Sequence, residues 1–352
     1  MKVIVLAGGY ATRLWPLTIT RPKPLLPLGN KLIVDYIIEK AQKLSPEMII
    51  VSTNKAFKKD FEKWFESRVK NGVFEKSEVN IFVEQTLREE EKLGTIGALK
   101  LLFDEFGPDD YLIIAGDNIF SYELTDFYSA YNKKNPLVAV YDIKDKSLVS
   151  SYSQVILDKE GKIINFEEKP PKPITSLIAI ACYAFPPKII ELLNEYLDAG
   201  GKKDAPGFFI EWLYKKEPVY AYIFEGFWFD IGTPRTYLEA HTKLLNKSYI
   251  SGTAEIGDNV KIIPPIYIGD GVTILGNSII GPYTYIGNNS IIRDSEIRES
   301  IIINEAIISN SSVAKSIVGS KSNIERMRLR ESIIGDYSKL LGCFEDGKER
   351  KV

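Results

Sequence analysis

The residues best suited to chemistry are cations and carboxylates that follow short apolar runs. The densest group opens the chain as Leu6-Ala7-Gly8-Gly9-Tyr10-Ala11-Thr12-Arg13-Leu14-Trp15-Pro16-Leu17-Thr18, followed by Arg21-Pro22-Lys23-Pro24. A glycine pair after an apolar run lets backbone N–H groups face an anion. Arg13 and Lys23 add the positive charge that a triphosphate needs. Neither GxxxxGK[ST] nor GxGxxG occurs in this segment, which excludes two common phosphate-binding fingerprints. A bare Gly-Gly is more often an ordinary turn, but two basic residues ten apart, with prolines around the lysine, are more specific.

Two aspartates stand at the ends of later apolar runs: Asp117 in Ala115-Gly116-Asp117-Asn118 and Asp230 in Trp228-Phe229-Asp230-Ile231-Gly232. Each alone reads as a turn or cap residue. Together they are hard oxygen donors of the kind Mg²⁺ prefers, with phosphate oxygens and water completing its shell. In Phe166-Glu167-Glu168-Lys169-Pro170, which is otherwise a solvated strand end, Lys169 supplies a compact point charge for a phosphate. Gln85 ends a predicted strand and offers both a donor and an acceptor to a base edge.

These residues need elements to position them. Val3–Leu6, Met48–Ser52, Val79–Val83 and Tyr111–Ala115 are Ile/Val-rich runs that predict buried parallel strands. Leu32–Leu44, Phe57–Asn71 and Thr95–Phe106 carry apolar residues at helical spacing. Alternation of this kind predicts an α/β domain over 1–235 with an open, doubly wound, Rossmann-like sheet, whose ligand lies beyond the carboxyl ends of the strands. Strand-like segments at Leu137–Ile143, Gln154–Leu157, Ile178–Phe185 and Val219–Phe224 extend the same domain on the substrate side. Arg235–Asn246 reads as a linking helix, assigned to 236–249.

From residue 250 the period changes. Ile256, Ile262, Ile268, Ile274, Ile280, Ile286 and Ile292 recur every six residues, several followed by glycine. Hexapeptide repeats build a parallel β-helix, here expected over 250–343. The register is expected to loosen through Ile297, Ile302, Ile308 and Val313 and to fray near Met327–Leu329, and 344–352 reads as a polar tail.

The opening string, with Pro22-Lys23-Pro24, resembles the signature of the sugar-1-phosphate nucleotidyltransferases, which often carry a C-terminal left-handed β-helix. That resemblance implies transfer of a nucleotidyl group from a nucleoside triphosphate to a sugar 1-phosphate. It implies that Leu6, Ala7, Gly8 and Gly9 cradle the nucleotide, that Arg13 and Lys23 hold the triphosphate, and that Asp117 and Asp230 bind Mg²⁺. It puts Lys169 on the sugar phosphate and Glu168 on sugar hydroxyls. Gln85 and the Gly94-Thr95 turn would read the base, which stays open among dTTP, UTP and GTP. Tyr152 and Ser176 fall at the family's sugar-pocket positions, but Ser153, Ser176 and Ala181 depart from its pattern, and Trp228 reads either as a wall of that pocket or, among Phe227 and Phe229, as core. Glucose 1-phosphate with dTTP or UTP is the expected pair, with mannose-1-phosphate guanylyl transfer or a non-catalytic regulatory subunit as alternatives. Ala11 replaces the family's third glycine, and alanine fits there if its φ is negative. The segment Asp204–Phe209 has no role that its sequence explains.

The chain has 352 residues, a net charge of −2 and no global basic field for nucleic acid. It has two cysteines, Cys182 and Cys343, far apart, and no long apolar run, so a reducing, cytoplasmic location is expected. Scarce His, Gln and Met with abundant Ile, Lys and Glu hint at a thermophilic source. The lone His241 precedes the repeats and is expected to be a surface or packing residue, which argues against a second, acyl-transfer activity. The β-helix is expected to serve assembly of a homo-oligomer or to stabilise the catalytic domain.

Overall fold

The computed structural model describes residues 1–74 and 77–342, so Cys343 and the tail expected over 344–352 lie outside the described residues. The chain forms two compact units. One joins Met1–Tyr10 to Val34–Phe229, and the other joins Ala11–Ile33 to the chain from Asp230 onward.

The first unit is built on a nine-stranded mixed sheet. Its strands are β1 (Lys2–Leu6), β2 (Met48–Asn54), β3 (Glu78–Glu84) and β4 (Tyr111–Ala115), then, after the separate strand β5 (Asn118–Phe120), β6 (Leu137–Asp142), β7 (Ser153–Leu157), β8 (Ile163–Glu168), β9 (Leu177–Phe185) and β10 (Tyr220–Phe224). Their order is β8-β7-β9-β4-β1-β2-β3, with β6 paired to β9 and β10 to β6. Strands β1 to β4 run parallel, as their Ile/Val runs predict. Val3, Ile4, Val5, Ile49, Ile50, Val51, Ile113 and Ile114 are fully buried, as strands covered on both faces require. The substrate-side strands join this sheet rather than forming another. Strand β5 pairs separately with β11 (Trp228–Asp230).

Helices α1 (Ile33–Gln42), α2 (Lys58–Lys70), α3 (Gly94–Phe106), α4 (Leu124–Ser129), α5 (Ile189–Asp198) and α6 (Pro206–Leu213) alternate with the strands. One core joins α3, α5 and α6 to the sheet through Leu99, Phe103, Leu193, Phe209 and Ile210. Strand order reverses at β1, which lies between β2 and β4. Such a switch point opens a crevice beyond the carboxyl ends of the strands.

The second unit begins its C-terminal part with α7 (Pro234–Leu244). Thr233 and Thr236 form a reciprocal cap at its start, with Pro234 in the first turn, where a missing N–H costs nothing. Three parallel sheets of six, six and five strands follow, forming the left-handed β-helix. Ile268, Ile274, Ile280, Ile286 and Ile292 are buried along its axis. Ile256, on the first coil, remains 36% exposed because that coil has a neighbour on one side only.

The repeat does not fray. Tyr249, Tyr267 and Tyr285 pair in register 18 residues apart, whereas Tyr285, Ile301, Ile317 and Ile333 pair 16 apart. Near the expected fraying point, Arg328–Arg330 is a strand paired with Ser312–Ala314, and Leu329 is only 8% exposed. The physical reason is a shortened corner. Asp294, Glu299, Asn310, Lys315, Arg326 and Glu331 each take a left-handed conformation there, tightening the turn by one residue. Most are followed by serine. The Ser295, Ser311 and Ser316 hydroxyls each donate to the carbonyl two residues earlier at 2.7 Å. They also accept from the N–H of Ser311, Met327 and Ser332 in the next coil. These ladders satisfy backbone groups that a plain hexapeptide count does not reveal.

His241 is a packing residue rather than a surface one. It is fully buried, its Nδ1 accepts from Gly29 N–H at 3.1 Å, and its ring meets Tyr285 edge-on. Tyr237, beside it on α7, donates to the Pro27 carbonyl. No helix among the described residues is long and apolar enough to cross a membrane.

Candidate functional site

The switch point is built by close backbone approach. Gly116 N–H donates to the Leu6 carbonyl at 2.8 Å, and a β-carbon on Gly116 would stand 2.8 Å from that oxygen. Only glycine lets the chain pass so near, bringing Asp117 beside the Ala7–Gly8 turn. The Asp117 carboxylate accepts from Asn118 Nδ2 at 2.8 Å.

Gly8 and Gly9 play different parts. A β-carbon on Gly8 would stand 2.8 Å from Glu84 Oε1, whereas nothing lies within 4 Å of one built on Gly9. That open space leaves room for a ligand against the Gly9 backbone. Asn54 Nδ2 donates to the Gly8 carbonyl at 2.9 Å, and Ser52 Oγ donates to Glu84 Oε1 at 2.9 Å. Burial pushes the Glu84 carboxyl up, while the Ser52 hydroxyl opposes the shift. Sequence reasoning missed Glu84 and Asn54. The available signal was a run of polar residues, Ser52-Thr53-Asn54, ending a buried strand. Gln85 is exposed and donates from Nε2 to the Val83 carbonyl at 3.2 Å.

The Gly94-Thr95 turn opens α3 at a φ of 73°. A β-carbon on Gly94 would stand 2.2 Å from the Lys203 carbonyl, so this position is closed to other residues twice over. Thr95 and Ile96 N–H groups donate to the carbonyls of Asp204 and Lys203, and Lys92 pairs with Asp204 at 3.3 Å. The Asp204–Phe209 segment therefore clamps the start of α3.

The same segment shapes the surroundings of Glu168. The Ser153 hydroxyl donates to Glu168 Oε2, and Glu168 N–H donates to Glu211 Oε2 at 3.2 Å. A β-carbon on Gly207 would stand 1.9 Å from Glu168 Oε2. Lys169 next door is exposed and has a φ of 52°, a conformation that costs an L-residue of order 1–3 kcal/mol and that clusters at functional positions. Its N–H donates to the Tyr152 carbonyl at 2.8 Å. The Tyr152 ring meets Trp228 edge-on at 5.1 Å, and Trp228 Nε1 donates to Asn118 Oδ1 at 2.7 Å. Tyr152 and Trp228 thus form an aromatic wall tied to the residue after Asp117. The Lys144 ammonium and, less strongly, the Ser176 hydroxyl hold the Asp142 carboxyl at about 2.

In the second unit, Arg13 is exposed and its guanidinium lies over Gly232, where a β-carbon would stand 3.2 Å from Nη2. Gly232 N–H turns back to the Asp230 carbonyl at 2.8 Å, so Arg13 rests on the turn that follows Asp230. Lys23 begins a short 3₁₀ turn, Lys23–Leu25, closed by Leu26 N–H on its carbonyl. Ala11 does not meet the condition of a negative φ, since its φ is 51°. Its carbonyl accepts from Thr18 Oγ1 at 2.8 Å and from Leu14 N–H at 3.0 Å, and these bonds hold the left-handed turn without glycine.

Asp117 and Asp230 are hard oxygen donors whose chemistry fits Mg²⁺. Among the described residues no group of three or more His, Cys, Asp or Glu side chains gathers to hold a metal ion.

Residues 2–247, which include the glycine turn after β1 and the acidic turn after β4, match the nucleotidyl transferase family. The chain belongs to the nucleotidyl transferase family. It is 32% identical over 263 residues to the bifunctional protein GlmU of Methanocaldococcus jannaschii, covering 74% of this chain and 59% of that protein. It is 29% identical over 292 residues to the UTP–glucose-1-phosphate uridylyltransferase of Synechocystis, covering 76% and 74%. It is also 30% identical over 254 residues to the mannose-1-phosphate guanyltransferase of Saccharomyces cerevisiae, covering 70% and 65%. A solved UDP-glucose pyrophosphorylase in complex with UDP-glucose superposes with a TM-score of 0.59 at 25% identity, covering 69% of this nucleotidyl transferase and 97% of that chain.

Proposed function

We propose that this nucleotidyl transferase joins a nucleoside triphosphate to a sugar 1-phosphate, yielding an NDP-sugar and pyrophosphate. The observations that carry this reading are the close approach of Gly116 to Leu6, which sets the Asp117 turn after β4 beside the end of β1, and the open space where a β-carbon on Gly9 would stand. An oxygen of the sugar phosphate attacks the α-phosphorus in line, and the bond to the pyrophosphate oxygen breaks. No general base is required, because the attacking phosphate is already ionised. The Leu6–Gly9 turn cradles the nucleotide, while Gln85, Gly94 and Thr95 face its base. Arg13 and Lys23 offset charge on the triphosphate, and Lys169 holds the attacking phosphate. Glu168, Tyr152, Ser176 and Trp228 serve the sugar. Asp117 and Asp230 would hold Mg²⁺, which when bound neutralises phosphate charge.

Glucose 1-phosphate with dTTP or UTP is the preferred pair. A second reading, mannose 1-phosphate with GTP, is favoured by Leu93-Gly94-Thr95-Ile96-Gly97-Ala98 and by the likeness to the yeast enzyme. Assembly of a cytoplasmic homo-oligomer through the β-helix belongs to the same proposal. The test is pyrophosphate release across a grid of nucleoside triphosphates and sugar 1-phosphates, with and without Mg²⁺. Release needing both substrates and metal supports the reading and names base and sugar. Nucleotide binding with no release across the grid overturns it in favour of a regulatory subunit.

A further inference from the structure

The β-helix does more than extend the chain, and one corner column makes this visible. Asp270, Asn288, Asn304, Ser320 and Asp336 occupy equivalent corners of successive coils. Asn288 Oδ1 accepts from Asp270 N–H at 3.0 Å, Asn304 Oδ1 from Asn288 N–H at 3.0 Å, and Asp336 Oδ1 from Ser320 N–H at 2.7 Å. An amide oxygen is sufficient for this ladder, because Asn288 and Asn304 supply one. Asp336 therefore carries a second oxygen that the ladder does not use.

That oxygen is taken by the Ala11–Ile33 segment. Asp336 Oδ2 accepts from Arg21 Nη2 and from Thr20 Oγ1, both at 2.5 Å. The same guanidinium nitrogen reaches Ser320 Oγ at 3.0 Å. The Asp336 side chain is 4% exposed and that of Arg21 is 20% exposed, so this is an ion pair largely withdrawn from water. Such a pair resists screening and holds its geometry far better than an exposed one. Pro16 packs on the same coil: a β-carbon on Gly335 would stand 2.9 Å from Pro16 Cβ. The held stretch, Pro16 to Arg21, lies between Arg13 and Lys23.

We propose that Asp336, with Ser320, is a positioning residue for the nucleotide loop, so that the β-helix sets where Arg13 and Lys23 stand. This rests on the reading that those two cations hold the triphosphate. Asparagine at 336 would keep the ladder, as it does at 288 and 304, but would present an amide instead of an anion to Arg21. The structural task and the positioning task are thereby separable in one substitution.

The experiment compares the 352-residue protein with its Asp336→Asn and Asn304→Ala variants. Three properties are measured: melting temperature, amide hydrogen exchange over residues 12–25, and steady-state kinetics with each substrate varied. Asp336→Asn is expected to speed exchange over 12–25 and to lower kcat/KM for the nucleotide about 10- to 100-fold, out of proportion to any fall in melting temperature. Its KM for the sugar phosphate should stay at the wild-type value. Asn304→Ala, which breaks only the ladder, should lower the melting temperature and leave exchange over 12–25 and the nucleotide KM unchanged. Wild-type exchange and nucleotide kinetics in Asp336→Asn would overturn the proposal. So would a loss that tracks melting temperature equally in both variants. If the wild-type protein turns over no substrate pair, the proposed reaction fails on its own. Exchange over 12–25 and affinity for Mg²⁺-nucleotide then decide the anchoring, with unchanged values in Asp336→Asn again overturning it.

Discussion

A β-carbon added to Gly207 would stand 1.9 Å from Oε2 of Glu168. Alanine in the first turn of α6 should ordinarily stabilise a helix by up to about 1 kcal/mol. Here it must displace the Glu168 carboxylate and its bond from Ser153. Gly207→Ala is expected to lower the melting temperature and to raise KM for the sugar phosphate about tenfold or more, with KM for the nucleotide unchanged. Kinetics with each substrate varied in turn would check this. A more stable variant with wild-type KM values would show that Glu168 has no fixed task.

The Asp117 turn is expected to matter for turnover and little for stability. Asp117→Asn keeps the side-chain shape and an oxygen that can accept from Asn118, but it removes the charge. Pyrophosphate release should fall at least about 100-fold while thermal unfolding is unchanged. Retention of full turnover would remove Asp117 from the proposed metal pair.

Ala11 carries backbone strain that glycine would relieve. The left-handed region costs an L-residue about 1–2 kcal/mol, offset in part by the greater unfolded-state entropy of glycine. Ala11→Gly should therefore change stability by a gain of at most about 1 kcal/mol, with activity kept. Ala11→Val, branched at the β-carbon, should cost about 2 kcal/mol. Midpoints of denaturant unfolding would measure both, and equal midpoints would show that the turn relaxes.

His241 should make stability depend on pH. Burial pushes its imidazole down to about 3, with the Tyr283 backbone opposing part of the shift. Between about pH 6.5 and pH 3 the unfolded chain binds a proton that the folded chain does not. Stability is then fully present above pH 6.5 and falls with pH by at most about 1.4 kcal/mol per unit. His241→Asn, which retains an acceptor for Gly29 N–H, should lower stability at neutral pH but show a flatter profile between pH 7 and 5. Parallel profiles for the two proteins would exclude this histidine as the cause.

Much of the architecture could be read from the chain because its signals are local. The Ile/Val runs at 3–6, 49–51 and 112–114 declare strands covered on both faces, and helical spacing between them declares the crossovers. The interval of six from Ile256 to Ile292 declares a stacked solenoid, since each aliphatic side chain needs a partner in the next coil. The string from Leu6 to Lys23 announces the family by the types and order of its residues, all within one turn-rich segment.

Tertiary structure decided the rest, because those features depend on residues far apart in the chain. Nothing near Gly207 in sequence reports that Glu168 presses against it, and nothing near Gly8 reports Glu84 beneath it. The φ of Ala11 depends on the Thr18 hydroxyl that holds its carbonyl, and composition alone does not reveal that bond. The shortened coils after Tyr285 look like decay when counted in sixes, but become regular once left-handed corners and serine ladders are seen. Asp336 reads as one more polar corner residue until its second oxygen is found on Arg21, 315 positions away. Periodicity records which face of an element is buried, whereas only folding determines which distant group is buried against it.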